Sequence, residues 1–408
     1  MNAAQLLASY FCDHVDADDL PPYFTFGVRR PKVAVAALDS SDQTVLAFDE
    51  VTGVAACRTG LNIMRRDQEI TYRLIGEIIY VAANPSAPIE DQLRAKLNLD
   101  QALRFATGCR PSYSSLRSGP PILPPRLLAA GVRVAEDHRT ILTFADSGYA
   151  VPGMLLMADG RLNAQHFPPP LLVDRRARLL RARGIHYVRL AKGGKLISVV
   201  RRVARTIRKR VADMHTPFAF PILKRHLLQA YRDNQISAKP KTILHGSSSD
   251  ALGGVGAVRF GLSLSGDHLA ILEMSVYDFE AFGGLVKTGE PLKNYISRLR
   301  GERISDVYPW HVLQYVSACD FERQIIPTLE EIAYTADTDT ELGIYPRALA
   351  DIHNHIKLRF DDVDLERKRR EICNELARAG VPYELIPIAP EVSHKTDPEE
   401  YNLGLTWF

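Results

Sequence analysis

Four residues in this chain have the type and local setting to hold a divalent cation: Asp39, Glu136, Asp159 and His353. Asp39 closes the run KVAVAALD that starts at Lys32, and Ser40 and Ser41 follow at once. A short continuous apolar run ending in turn chemistry predicts a strand buried on both faces, with the carboxylate at its rim. The segment from Gly153 to Leu162 (GMLLMADGRL) repeats the theme and places Asp159 before Gly160. If the two strands are neighbours in one sheet, their carboxylates converge at one edge. Stiff elements there can hold oxygen ligands for one or two Mg²⁺ or Mn²⁺ ions. The plainer reading of either residue is a turn aspartate accepting backbone bonds.

Glu136 follows Leu128 and Val132 at helical spacing, which puts an acid on an apolar face. Such a group is costly unless it is paired or bound to metal. Glu77, Asp137 and Asp146 compete with it as the third carboxylate. The segment from Gly343 to His355 (GIYPRALADIHNH) carries the histidine. Tyr345-Pro346 predicts an extended residue followed by a turn or a helix start, with His353 two helical turns farther along. There it could bind metal, orient a phosphate or transfer a proton, against the plainer reading of a surface or satisfied core histidine.

The elements that must position these groups read as an α/β chain. Strands are predicted at 32–39, 44–48, 54–62 and 73–81, an antiparallel meander opening a mixed sheet. A helix over 89–107, a proline-rich break at 111–125 and a helix over 126–145 follow. The second aspartate strand comes next, then a basic helix at 171–183 and a strand at 184–190 running into Lys192. Over 198–214, Val199, Val203, Ile207 and Val211 form one stripe. Arg201, Arg202, Arg205, Arg208 and Lys209 occupy the rest, a pattern that suits salt-dependent phosphate contacts or an ordinary solvated face. Arg175, Arg176, Arg178, Arg181 and Arg183 extend the basic cluster.

Farther on, 246–256 is a glycine-rich loop and 257–264, 268–276 and 312–318 are strands. Residues 277–310 form a loop-rich insertion, 327–333 a short helix, 349–358 and 364–379 helices, and 383–388 a last strand. The expected division is a helix and loop at 1–30, a central domain at 31–362 with a basic helical insertion near 171–240, and an extension at 363–408.

Composition narrows the classes. The chain has 408 residues, 46% hydrophobic and 24% charged, which fits an ample core. Net charge is +3, from 51 basic and 48 acidic residues, so affinity for polyanions must come from clustering. Five cysteines, none in a CxxC spacing, fit a reducing cytoplasm and exclude a zinc ribbon. The N-terminus lacks the basic region of a signal peptide, and no apolar run approaches the ~18 residues of a membrane span. The glycine-rich loop lacks the GxxxxGK[ST] order of a nucleotide-phosphate cradle.

The order Asp39, Glu136, Asp159-Gly160-Arg161-Leu162, Lys192, then Tyr345-Pro346-Arg347-Ala348-Leu349 to His353 resembles the NurA family of DNA-repair nucleases. The first motif departs from the family's Asp-Gly-Ser, reading Asp39-Ser40-Ser41 here. The resemblance implies an RNase H-like mixed sheet flanked by helices, with helical insertions and a C-terminal helical extension. It implies Mn²⁺, with Mg²⁺ as the alternative, and metal-activated water cutting phosphodiesters of single- and double-stranded DNA ends. Asp39, Glu136, Asp159 and His353 would hold metal, with Tyr345 and Lys192 completing the catalytic set. It further implies a homodimer working with a HerA-like hexameric ATPase in break repair or defence. A catalytically weak DNA-end clamp for such an ATPase is the other reading, with Tyr10-Phe11 and Leu405–Phe408 as partner surfaces.

Overall fold

A computed structural model describes residues 23–49, 52–83, 125–160, 170–192, 195–210, 216–222, 257–265, 268–275, 318–337, 345–359 and 362–382. In chain order the first strands are β1 (Phe24–Thr25), β2 (Val35–Ala47), β3 (Gly53–Met64), β4 (Ile70–Ile75) and β5 (Ile79–Ala83). Helix α1 (Pro125–Ala145), β6 (Leu155–Asp159), α2 (Pro170–Ala182), β7 (His186–Ala191) and α3 (Lys195–Arg210) follow. Then come β8 (Phe218–Pro221), β9 (Ala257–Ser265), β10 (His268–Ser275) and α4 (Ala318–Thr335). The last are β11 (Ala336–Asp337), β12 (Tyr345–Pro346), α5 (Arg347–Ile356) and α6 (Val363–Arg378). The chain is a mixed α/β protein with helices against its strands, as expected.

By contacts it divides into two compact units. The first comprises Val33–Asp159, His166–Ile185 and Ala348–Phe408; the second comprises Met1–Lys32, Gly160–Gln165 and His186–Arg347.

In the first unit β2 is the axis. It pairs antiparallel with β3 along its length and parallel with β6 over Val35–Leu38. Both β4 and β5 pair with β3, antiparallel. The two strands predicted at 32–39 and 44–48 are one, because Ser40, Ser41, Asp42 and Gln43 keep their partners on β3. The polar run marks where the parallel neighbour ends, not where the strand ends. A register shift between Thr44 and Leu46 then lets Val45 and Leu46 both be buried.

Helix α1 covers one face of the β2–β3 pair, where Ala129 and Val132 pack with Ala55, Cys57 and Ile79. Helix α6 is capped by Asp362, whose side chain accepts from the Asp364 amide, and its Leu365 packs with Val45, Ala56 and Leu358.

The second unit holds the antiparallel strands β1-β8-β9-β10-β7. Helix α3 lays Val199, Val200, Val203, Ala204 and Ile207 on a core with Phe218, Phe220 and Ile271. Helix α4 is longer than the short helix predicted at 327–333. It runs from Ala318 through Pro327, whose missing N–H forgoes one helical bond. Ala318, expected to end a strand, is therefore helical.

The readings at 1–22, 89–107, 246–256, 277–310 and 383–388, with the proline-rich segment before Pro125 and the terminal Leu405–Phe408, lie outside the described residues. Among the described residues, no helix is long and apolar enough to cross a membrane.

Candidate metal centre

Strands β2 and β6 run parallel with Leu38 opposite Ala158, so the next residues, Asp39 and Asp159, leave the pair side by side. Side chains alternate along a strand, and equal register puts both carboxylates on one face. Gly160, at φ 84°, turns the chain directly after β6 in a conformation that favours glycine. Asp39 is buried and Asp159 half-buried.

Helix α5 supplies the third group. Ala348, Leu349, Ile352 and Ile356 are its buried residues at helical spacing. Of these, Ile352 and Ile356 come down on β3 at Gly60, the residue opposite Asp39. A Cβ at position 60 would sit 2.8 Å from Ile352 Cδ1 and closer still to Ile356 Cγ2. Only a glycine lets the helix rest this near the strand. His353 then reaches over β2, with Nδ1 2.7 Å from Asp39 Oδ2. The other Asp39 oxygen accepts the Ser40 amide at 2.7 Å. One ligand atom each from Asp39, Asp159 and His353 lie within 4.8 Å of one another.

The charges explain why such a group wants a cation. Asp39 is pushed up from 3.8 to about 6, first by burial and then by the neighbouring Asp159 carboxylate. The His353 hydrogen bond and charge and the Ser40 amide offset only part of this. Two carboxylates and an imidazole suit Mn²⁺ or Mg²⁺, hard to borderline ions that prefer oxygen with an occasional nitrogen. The donor set therefore fits a divalent ion. No thiolate competes at Cys57, which faces α1 and whose thiol is pushed up to about 12, chiefly by burial.

The other sequence candidates lie elsewhere. Glu136 stands outside this group and pairs with Arg139, whose Nε donates to its Oε2 at 2.7 Å. The reason is strand alternation, since α1 faces the Ser40 and Thr59 side of the sheet while Asp39 and Gly60 face α5. Of its competitors, Asp137 is buried on the α1 side and accepts from Thr59 Oγ1 at 3.3 Å and Ser40 Oγ at 3.4 Å. Asp146 takes Arg183 at 2.8 Å, and Glu77 is exposed.

Lys192 and Tyr345 belong to the second unit. There the ammonium lies 4.7 Å from the ring centroid, and the Tyr345 hydroxyl donates to the Leu190 carbonyl at 3.0 Å. On α3, Arg201, Arg205 and Lys209 are exposed and Arg202 is half-buried. Arg208 is turned inward instead, donating to Ser263 Oγ at 2.6 Å beside the Phe218 ring. It follows Ile207 and stands one turn after Ala204, both buried, so the apolar side is wider than one stripe and takes Arg208 in. Arg176 is likewise buried.

Sequence reasoning missed the support beneath His353. Asn62 on β3 is fully buried and donates from Nδ2 to the Ala348 carbonyl and to Asp351 Oδ2, both at 2.8 Å. Arg73 on β4 grips the same carboxylate with Nη2 at 2.7 Å from each oxygen and Nε at 3.2 Å from Oδ2. A glycine and an asparagine inside the apolar run GLNIM were the available signals.

No family model matches the chain, and no curated protein matches it. Among solved structures, the NurA nuclease from Sulfolobus solfataricus is 10% identical and covers 92% of this chain and 94% of its own, at a TM-score of 0.39. A second NurA structure is 8% identical, covering 93% of this chain and 99% of its own at a TM-score of 0.34. A third, of NurA with manganese, is 11% identical and covers 81% of this chain and 63% of its own, at a TM-score of 0.14. All three superpose on this chain loosely, and the weight of a functional reading falls on the side chains.

Proposed function

We propose that this protein is a divalent-cation-dependent nuclease acting on DNA, with Asp39, Asp159 and His353 as its metal ligands. The observation that carries the reading is the meeting of these three side chains where the parallel pairing of β2 with β6 ends, with Asp39 held at about 6 by burial and by Asp159. Bound there, Mn²⁺ or Mg²⁺ would supply Lewis-acid activation of water and neutralise charge on a phosphodiester. The chain's own contribution is rigidity. Asp39 has both oxygens engaged, one by the Ser40 amide and one by His353, so its rotamer is set before any ligand arrives. His353, oriented through Nδ1, is placed to ligate or to move a proton beside the reacting phosphate.

The exposed Arg201, Arg205 and Lys209 of α3 suit phosphate contacts that position DNA without reading its sequence. Lys192 and Tyr345 remain proposed participants on residue order alone, whereas Glu136, paired with Arg139 on the other face, is not a ligand of this group. Attack on DNA ends, a homodimer, and a HerA-like ATPase as the motor belong to the same proposal and rest on that order too.

The test is digestion of a labelled linear duplex and of a single strand with Mn²⁺, Mg²⁺ or EDTA, using wild type and Asp159→Ala. Metal-dependent cleavage lost in the variant is the expected result. Tight, salt-sensitive binding without cleavage, even with a HerA-type ATPase added, would replace the nuclease by a DNA-end clamp.

A further inference from the structure

Residues 351 and 353 lie about 200° apart around a helix that turns about 100° per residue. The two flanks of α5 therefore do different things. On one, Asp351 is held by Asn62 of β3 and Arg73 of β4. On the other, His353 reaches Asp39 of β2. Between them Ile352 bears on Gly60, which has no side chain of its own to fix the rotation of α5.

The bond from Asn62 to the Ala348 carbonyl fixes the first turn of the helix, and the bond to Asp351 fixes the next. The Asn62 carbonyl oxygen is buried without a hydrogen-bond partner among the described residues. An asparagine at this fully buried position is costly, and an apolar residue would serve the core better. Its amide nitrogen is spent wholly on α5.

We propose that Asp351, clamped by Asn62 and Arg73, is a positioning residue that sets the rotation of α5 and thereby the approach of His353 to Asp39 and to a cation held there. The cation part rests on the nuclease reading above; the rotational part does not. Asp351 lies outside the group of Asp39, Asp159 and His353 and would act through His353.

Two measurements on the full-length protein test this. One is calorimetric titration with Mn²⁺. The other is the imidazole ¹⁵N resonances of His353 in the metal-free protein at fixed pH, which report its hydrogen bond to Asp39. In Asp351→Ala, Mn²⁺ affinity falls about tenfold, the usual scale for groups that orient a ligand. The His353 resonances move toward those of an unbonded ring, and cleavage loses kcat with KM for DNA unchanged. Asp351→Asn, which keeps an acceptor for Asn62 and Arg73, recovers most of the affinity. In a His353→Ala background, Asp351→Ala has no further effect on Mn²⁺ binding. An equal loss in that background, or unmoved His353 resonances, would overturn the assignment. If Asp351→Ala does not fold, Arg73→Gln on the accessible side of the clamp gives the same pattern at smaller size, and unmoved resonances there count equally against it. A wild type that binds no Mn²⁺ and cuts no DNA would remove the nuclease reading, and the resonances would still decide the positioning.

Discussion

The two faces of the β2–β3 pair treat carboxylates in opposite ways. On the α1 face, Asp42 meets Arg133 at 2.6 Å and Glu136 pairs with Arg139, while Asp137 takes the hydroxyls of Thr59 and Ser40. On the α5 face, Asp39 is buried against Asp159 with an imidazole and one amide to offset the charge. The first face is built to be finished by the protein itself. The second gains most from a positive charge brought from outside. Burial alone does not mark a functional acid, since Asp137 and Asp39 are equally hidden.

The sharpest way to break this contrast is Asp39→Asn. Cleavage should fall by about a thousandfold or more, the scale lost when an essential electrostatic group is removed. The metal-free protein should nevertheless become more stable at pH 7. An acid raised to about 6 from 3.8 binds its proton more tightly when folded, so its contribution is greatest below about 3.8 and is lost as pH rises to 6. Asparagine removes that loss, worth about 3 kcal/mol at pH 7. Urea unfolding with EDTA at pH 7 and at pH 4 checks it: a gain at the higher pH that disappears at the lower. A gain present at both would mean that the Asp39 charge is not what strains the α5 face.

Next in size is Gly60→Ala. The added methyl meets Ile356 Cγ2, a branch held at the Cβ, as well as the tip of Ile352, so α5 must shift. A cost of about 1–3 kcal/mol is expected from overpacking, with Mn²⁺ affinity down about tenfold by titration. An unchanged affinity would show that the seating of α5 does not set the site.

The pH dependence of the wild type is gentler. Mn²⁺ affinity should hold above pH 6 and fall about tenfold per unit below it, as protons compete for Asp39. A flat profile between pH 5 and 7 would count against Asp39 as a ligand.

The smallest effect belongs to the α1 face. Thr59→Val deprives Asp137 of one donor and should cost about 1 kcal/mol by denaturant unfolding, with Mn²⁺ affinity unchanged. A large loss of affinity there would erase the distinction between the faces.

The site was legible to the extent that it depends on local punctuation. Asp39 and Asp159 each follow an apolar run, and His353 follows Tyr345-Pro346 on a strongly amphipathic helix, so each could be named alone. Glu136 depended on the phase of α1, and one residue of phase separates it from the buried Asp137. Gly60, Asn62 and Asp351 matter only through the pairing of β2 with β3 and of α5 with both. Those contacts join residues nearly three hundred positions apart, and no window of sequence contains them. The fold shows the same divide. Helix α1 and strands β9 and β10 fell close to their expected places. The continuity of β2 through Ser40–Gln43 did not, because the partners that keep it extended are supplied by another strand.

The parallel register of β2 with β6 has one more consequence. Shifting β6 by a single position would leave the backbone ladder intact and send Asp159 to the opposite face. Such a molecule would be folded, compact and unable to gather its ligands. If the site takes Mn²⁺ as proposed, saturation of such a preparation would count correctly aligned sheets, and the ion would stabilise that alignment alone.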